Sequence, residues 1–165
     1  MSHHRSTADL LRCVQIPDIS PAAGILASGT KAQMTMVAGD FSECYSTPED
    51  KSTFDVLVTV FFMDTAPNVL KYLEAISHVL KPNGIWINLG PLAWHYEPDE
   101  DSPGRAGGSI ELTLDELMAV IRKFGFEFET REGLEQKSLK MPYMANDKGM
   151  LTYMYESEFW VARKV

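Results

Sequence analysis

Between Phe54 and Pro91 the chain runs through an apolar stretch, an acidic turn, an amphipathic stretch, a tight turn and a second apolar stretch, and few folds accept that order. Phe54 to Phe62 is nearly unbroken in Val and Phe, the composition of a central strand buried on both faces of a parallel sheet. From Ala66, the apolar residues Val69, Leu70, Leu73, Ile76, Val79 and Leu80 keep helical spacing until KPNG, Lys81 to Gly84, ends the helix. Ile85 to Leu89 is then a second buried strand, closed by Gly90 and Pro91. Ligands in open α/β sheets gather outside the carboxyl ends of the strands, which is where Asp64 falls. Asp64 is equally placed to cap the following helix, and from this segment alone the two roles weigh the same.

The flanking sequence extends the pattern. Met34 to Ala38 is a short strand candidate, and GDF at Gly39 to Phe41 puts a second acid, Asp40, at its end. Residues 97 to 108 are acidic and then rich in Pro and Gly, which marks a loop within a domain; a plain insertion is the commoner reading and a lid the other. Thr113 and Glu116 form a capping-box pair ahead of Leu114, Leu117, Met118 and Ile121, so a helix is expected to end at Gly125. Phe126 to Arg131 alternates as a strand, and so does Tyr153 to Ala162, with Tyr153, Tyr155, Ser157, Phe159 and Val161 on one face. There is no internal repeat, and strand-helix alternation makes an α/β fold the expectation. At 165 residues one domain is expected, with residues 1 to 33 an irregular lead-in and 34 to 165 the strands and helices.

Charge and cysteine content exclude several classes. A net charge of -8 with Lys and Arg scattered singly argues against nucleic acid, whose phosphates need a clustered basic surface. The two cysteines, Cys13 and Cys44, are too isolated for a disulfide framework or a zinc site, so no metal and a reducing, cytoplasmic setting are expected. No apolar run is long enough to span a bilayer as a helix, and the start lacks a secretory pattern, so no membrane partner is expected.

Taken in order, VAGDF at Val37 to Phe41, FFMDTAPN at Phe61 to Asn68, LKPNGIWINLGPLAWHYE at Leu80 to Glu97, SIELT at Ser109 to Thr113 and the closing YMYESEFWVARK resemble the carnosine N-methyltransferase (N2227-like) family over nearly the whole chain. The resemblance implies a Rossmann-like class I methyltransferase sheet of spatial order 3-2-1-4-5-7-6. On that scheme Met34 to Ala38 is the third strand, Phe54 to Phe62 the fourth, Ile85 to Leu89 the fifth, Phe126 to Arg131 the sixth and Tyr153 to Ala162 the seventh. The first and second strands and the glycine-rich turn after the first have no counterpart in this sequence; Gly104, Gly107 and Gly108 sit in an acidic loop and follow no buried strand. The sheet is therefore expected to be incomplete. Strands four, five, seven and six would form a contiguous half-sheet with the inner edge of the fourth unpaired, or the third would slip in beside it. A truncated product of a longer enzyme is the expectation.

The resemblance also implies residue roles. Asp64 is the acid of the FF-x-D-T-A motif and is assigned to catalysis and substrate binding. His95, Tyr143, Tyr153 and Tyr155 match substrate-pocket positions, and Trp94 departs from a tyrosine usual beside His95. Asp40 and Phe41 match the pair that holds the adenine of the methyl donor S-adenosyl-L-methionine, and Val60 matches a further cofactor contact. Apart from the resemblance, the tyrosines read as aromatic packing on an edge strand, GDF as a turn and Val60 as core. The implied function is methylation of the imidazole of carnosine, or a related histidine-containing dipeptide, to anserine; a homodimer and a nuclear location stay open. The alternative is a non-catalytic remnant or interaction protein keeping only the substrate-side half. A third reading, a nucleotide oxidoreductase sharing the sheet type, is disfavoured by the absent dinucleotide fingerprint.

Overall fold

A computed structural model describes residues 3–96, 109–132, 139–143 and 148–165. The chain forms two compact units, one of residues 1–39 with 144–153 and a larger one of residues 40–143 with 154–165. The smaller unit contains two short helices, α1 (Thr7–Leu10), capped by the Ser6 hydroxyl, and α2 (Pro21–Ala27), capped by Ser20 with proline in the first turn. Met34 to Ala38, expected as a strand, has no regular structure, and Met34, Met36 and Val37 are exposed. Five extended residues stay a strand only if a neighbour takes up their N–H and C=O groups, and no described strand pairs with them.

The larger unit begins with α3 (Phe41–Cys44) and carries the sheet, made of β1 (Phe54–Val60), β2 (Leu80–Gly90), β3 (Phe126–Glu132), β4 (Leu139–Tyr143) and β5 (Tyr153–Lys164), with the first residue of β5 counted in the smaller unit. The strand order is β1-β2-β5-β3, with β4 also pairing with β5. β1 and β2 are parallel and joined by α4 (Val69–Val79), while β5 runs antiparallel to both β2 and β3. This is the 4-5-7-6 half-sheet expected from the sequence, with β4 an element the sequence did not announce. The expected turn at KPNG is absorbed into β2: Phe54 faces Leu80 but Val56 faces Ile85, so the residues between bulge out, with Asn83 at φ 63°.

The core lies on one face of this sheet. Trp86, Trp160, Ala162 and Phe126 from the strands meet Val69, Leu73 and Ile76 of α4 and Leu117, Met118 and Ile121 of α5 (Leu114–Lys123), all essentially buried. The capping box expected at Thr113 and Glu116 is present. On the opposite face, Val56, Val58 and Val60 of β1 lie in register with Ile85, Ile87 and Leu89 of β2, and Ile87 and Leu89 with Val161 and Phe159 of β5. That face is apolar, and along β1 it is exposed: Phe54, Val56, Val58 and Val60 are 42%, 50%, 59% and 56% exposed. The expectation of a strand buried on both faces is thus corrected. β1 has a described partner on one side only, so a composition suited to a sheet interior stands at its edge.

Candidate functional site

The carboxyl ends of β1 and β2 set the site. One residue past β1, Phe61 has φ 50°, and its N–H continues the ladder to the Leu89 carbonyl at 2.7 Å. A single 3-10 turn, Met63–Thr65, then carries Asp64, which is only 4% exposed. The helix begins later than its apolar spacing suggested: the N-cap of α4 is Asn68, whose side chain accepts from the Leu70 N–H at 2.9 Å. Asp64 is therefore not the cap, and the reading that competed with a functional role falls away.

The Asp64 carboxylate turns instead to the segment after β2. Its Oδ2 accepts the Ala93 N–H at 3.0 Å, while its Oδ1 accepts no hydrogen bond among the described residues. The Ala93 carbonyl in turn lies 2.8 Å from Nδ1 of His95. A carbonyl only accepts, so Nδ1 carries a proton, and in the neutral tautomer this selects, the lone pair is on Nε2. One peptide residue thus ties the two residues together, Asp64 through its amide and His95 through its carbonyl. Trp94 packs against the core and donates from Nε1 to the Leu112 carbonyl at 3.1 Å, which anchors the loop between them.

Tyr155 and Tyr143 form a second group. Their rings meet edge to face at 5.3 Å, and Tyr155 meets Phe61 in the same way at 5.4 Å. The aromatic row joins β4 and β5 to the residue that leads into the Asp64 turn. Tyr153 is half exposed and is the last residue of the smaller unit.

A third group lies along β1. Phe41, Leu57, Val58, Thr59, Val60 and Phe62 line an open cleft of about 290 Å³. Phe41 packs edge-on to Phe62 at 5.2 Å and to Tyr72 at 5.5 Å, and Phe62 stacks on Tyr72 at 4.8 Å. Phe41 and Val60 both line this cleft. Asp40 has a structural duty as well: it is the N-cap of α3, its Oδ1 accepting from the Ser42 N–H at 2.9 Å and the Ser42 hydroxyl at 2.6 Å. The plain turn read into GDF is therefore a helix start.

Sequence reasoning missed Phe61 and the buried polar residues on the covered face of the sheet. Trp86 Nε1 donates to the Thr59 hydroxyl at 2.9 Å, which itself donates to Asn88 Oδ1 at 2.8 Å. Thr59 and Asn88 were visible as polar interruptions of otherwise apolar strands, a signal that each needs a buried partner. Ser157 is fully buried, and its hydroxyl has no hydrogen-bond partner among the described residues. Among the described residues no group of three or more His, Cys, Asp or Glu could hold a metal, and both cysteines are free. The acidic loop of residues 97–108, read as an insertion or a lid, lies outside the described residues.

The half-sheet is that of a class I methyltransferase. It matches a methyltransferase from Bacillus halodurans with a TM-score of 0.55, at 14% identity over 86% of this chain and 76% of that one. The YcgJ protein of Bacillus subtilis matches with a TM-score of 0.52, at 14% identity over 86% of this chain and 75% of its own. At the level of sequence, the family model described as carnosine N-methyltransferase matches residues 1–165. The chain belongs to that family. The carnosine N-methyltransferase of Rattus norvegicus is 40% identical over 163 residues, 99% of this chain and 37% of the relative. That of Schizosaccharomyces pombe is 37% identical over 166 residues, 98% of this chain and 42% of the relative. The chain therefore spans 37–42% of the length of these relatives.

Proposed function

We propose that this chain carries the substrate-side half of an N-methyltransferase that moves a methyl group from S-adenosyl-L-methionine to an imidazole nitrogen of carnosine or a related histidine-containing dipeptide. The observation that carries the reading is the state of Asp64: buried, relieved of capping by Asn68, and holding Ala93 with one oxygen while the other accepts no hydrogen bond among the described residues. An imidazole attacks through the nitrogen that bears a lone pair, and the N–H on its other nitrogen then needs an acceptor. Asp64 Oδ1 suits that acceptor. It would fix the tautomer, make the attacking nitrogen more basic, and orient the ring for an in-line displacement, in which orientation is most of the barrier. His95, whose neutral ring would hold its lone pair on Nε2, is suited to receive the proton that the methylated ring releases, and Tyr143, Tyr153 and Tyr155 to contact the rest of the dipeptide.

The methyl donor would supply an electrophilic methyl on a sulfonium. The apolar cleft bounded by Phe41 and Val60 fits its adenine, Phe41 packing on the base. Asp40 would accept from the exocyclic amine, although one of its oxygens already caps α3. The sequence holds no glycine-rich turn after a strand for the remainder of the cofactor. The chain is accordingly proposed to be the carboxyl-terminal part of a longer enzyme, acting in the cytoplasm on a small dipeptide with no nucleic acid or membrane partner. The engagement of Asp40 with α3 is the observation that favours the alternative, a non-catalytic protein keeping only the substrate-side half.

Titration calorimetry with S-adenosyl-L-methionine, followed by transfer of its labelled methyl to carnosine, tests the proposal. In the longer enzyme that contains this chain, saturable binding and a labelled dipeptide are expected, with transfer lost in Asp64→Ala and binding kept. Saturable dipeptide binding without donor binding supports the alternative, and binding of neither ligand overturns the reading.

A further inference from the structure

Phe61 is the most strained described residue near the site. Its φ of 50° lies in the left-handed region, which bulky side chains adopt only when their surroundings impose it. Two contacts impose it here. The Phe61 N–H is tied to the Leu89 carbonyl at 2.7 Å, and the ring lies edge-on against Tyr155 at 5.4 Å. The approach also depends on Gly90, where a Cβ would meet the Phe61 nitrogen at 3.0 Å and its Cα at 3.1 Å. Neither of these atoms can withdraw without breaking the bond to Leu89.

The left-handed step has a directional effect. It lets two consecutive aromatic rings serve two clusters, Phe61 joining Tyr155 and Tyr143 while Phe62 stacks on Tyr72 beside Phe41. It also ends β1 and turns the chain at once into the 3-10 turn that carries Asp64. We infer that Phe61 is a positioning residue: its ring, wedged against Tyr155, holds the left-handed backbone that places the Asp64 carboxylate against Ala93. The role assigned to Asp64 in catalysis is the proposal made above, and the present inference rests on it only for its kinetic consequence.

A pair of substitutions separates ring from backbone. Phe61→Ala removes the wedge and leaves a residue that avoids φ 50°, whereas Phe61→Gly removes the wedge and leaves one at home there. The Ala93 amide proton resonance reports its hydrogen bond to Asp64 and is read by nitrogen-15 correlation spectra without any turnover. Phe61→Ala should move that resonance and lower kcat for carnosine at least tenfold, with S-adenosyl-L-methionine affinity unchanged. Phe61→Gly should return the resonance toward its original position and recover at least a third of the lost logarithm of kcat. Tyr155→Leu should resemble Phe61→Ala although Phe61 is intact. Equal behaviour of the alanine and glycine variants, or an unmoved Ala93 amide in Phe61→Ala, overturns the inference. If the chain transfers no methyl group, the amide resonance still decides the positioning claim while the functional reading fails by itself.

Discussion

Replacing Asp64 should separate stability from activity, because its two oxygens have different duties. In Asp64→Ala the bond from the Ala93 N–H at 3.0 Å is lost. A hydrogen bond to a charged group is worth ~1.5–3 kcal/mol, and since Ala93 is exposed its freed N–H turns to water, so the lower part of the range applies, about 2 kcal/mol. For a chain of this size each kcal/mol moves Tm by roughly 2–4 °C, which gives a fall of about 4–8 °C. Asp64→Asn can keep the bond through its amide oxygen at neutral strength, losing about 1 kcal/mol, so its Tm should fall by only about half as much. Activity should not follow that order. With its oxygen turned to Ala93, the asparagine presents an NH₂ where the imidazole N–H must donate, and two donors face each other. Both variants should therefore lose about 10²-fold or more in kcat, the scale of a positioned proton acceptor. Scanning calorimetry and a methyl-transfer assay on the same preparations decide it. Near-original activity in Asp64→Asn, or no loss of Tm in Asp64→Ala, would refute the division of labour.

Two further perturbations probe the frame around the site. Thr59→Val keeps the shape of the side chain but strands Trp86 Nε1 and Asn88 Oδ1, two buried groups at ~1–3 kcal/mol each, so Tm should fall by at least about 5 °C while Thr59→Ser stays within half of that; equal Tm values for the valine and serine variants would contradict the network. Glu116 is held below its ordinary carboxylate range by the backbone N–H of Thr113 and then by the Thr113 hydroxyl. A group whose pKa is depressed on folding adds stability above its unfolded pKa and loses it as pH falls through the folded one. Glu116→Gln should thus be less stable than the parent at pH 7, with the gap closing as pH drops below about 4; a gap in Tm that stays constant down to pH 3 would exclude the linkage.

Much of the larger unit was legible because its signals are local. The apolar run of β1, the helical spacing of α4 and the Thr113–Glu116 pair each report on their own segment, and each element formed. What failed depended on partners distant in the sequence. Met34 to Ala38 has strand composition, yet strandedness is conferred by a neighbour. The same dependence left β1 exposed, since nothing within nine residues says which strand lies beside it. Asp64 was ambiguous for a different reason: capping was settled four residues later, by an asparagine able to do it. The bond from Ala93 crosses from one strand end to the next, and the left-handed step at Phe61 is a response to Gly90 and Tyr155, so neither is written in the residues that show it.

The strand order has a kinetic side. β5 lies between β2 and β3, and every rung it forms with β2 joins residues remote in the sequence, as in Ile85 with Arg163 or Trp86 with Ala162. β1, α4 and β2 can associate early as one contiguous stretch of chain, whereas β3 has no rung to join until β5 arrives. Until that insertion, Trp86 lacks Trp160 and Phe126 beside it, and the two halves of the future core remain separate. The central strand is thus a late keystone, and substitutions in β5 should mainly speed unfolding, whereas equally destabilising ones in α4 should slow refolding.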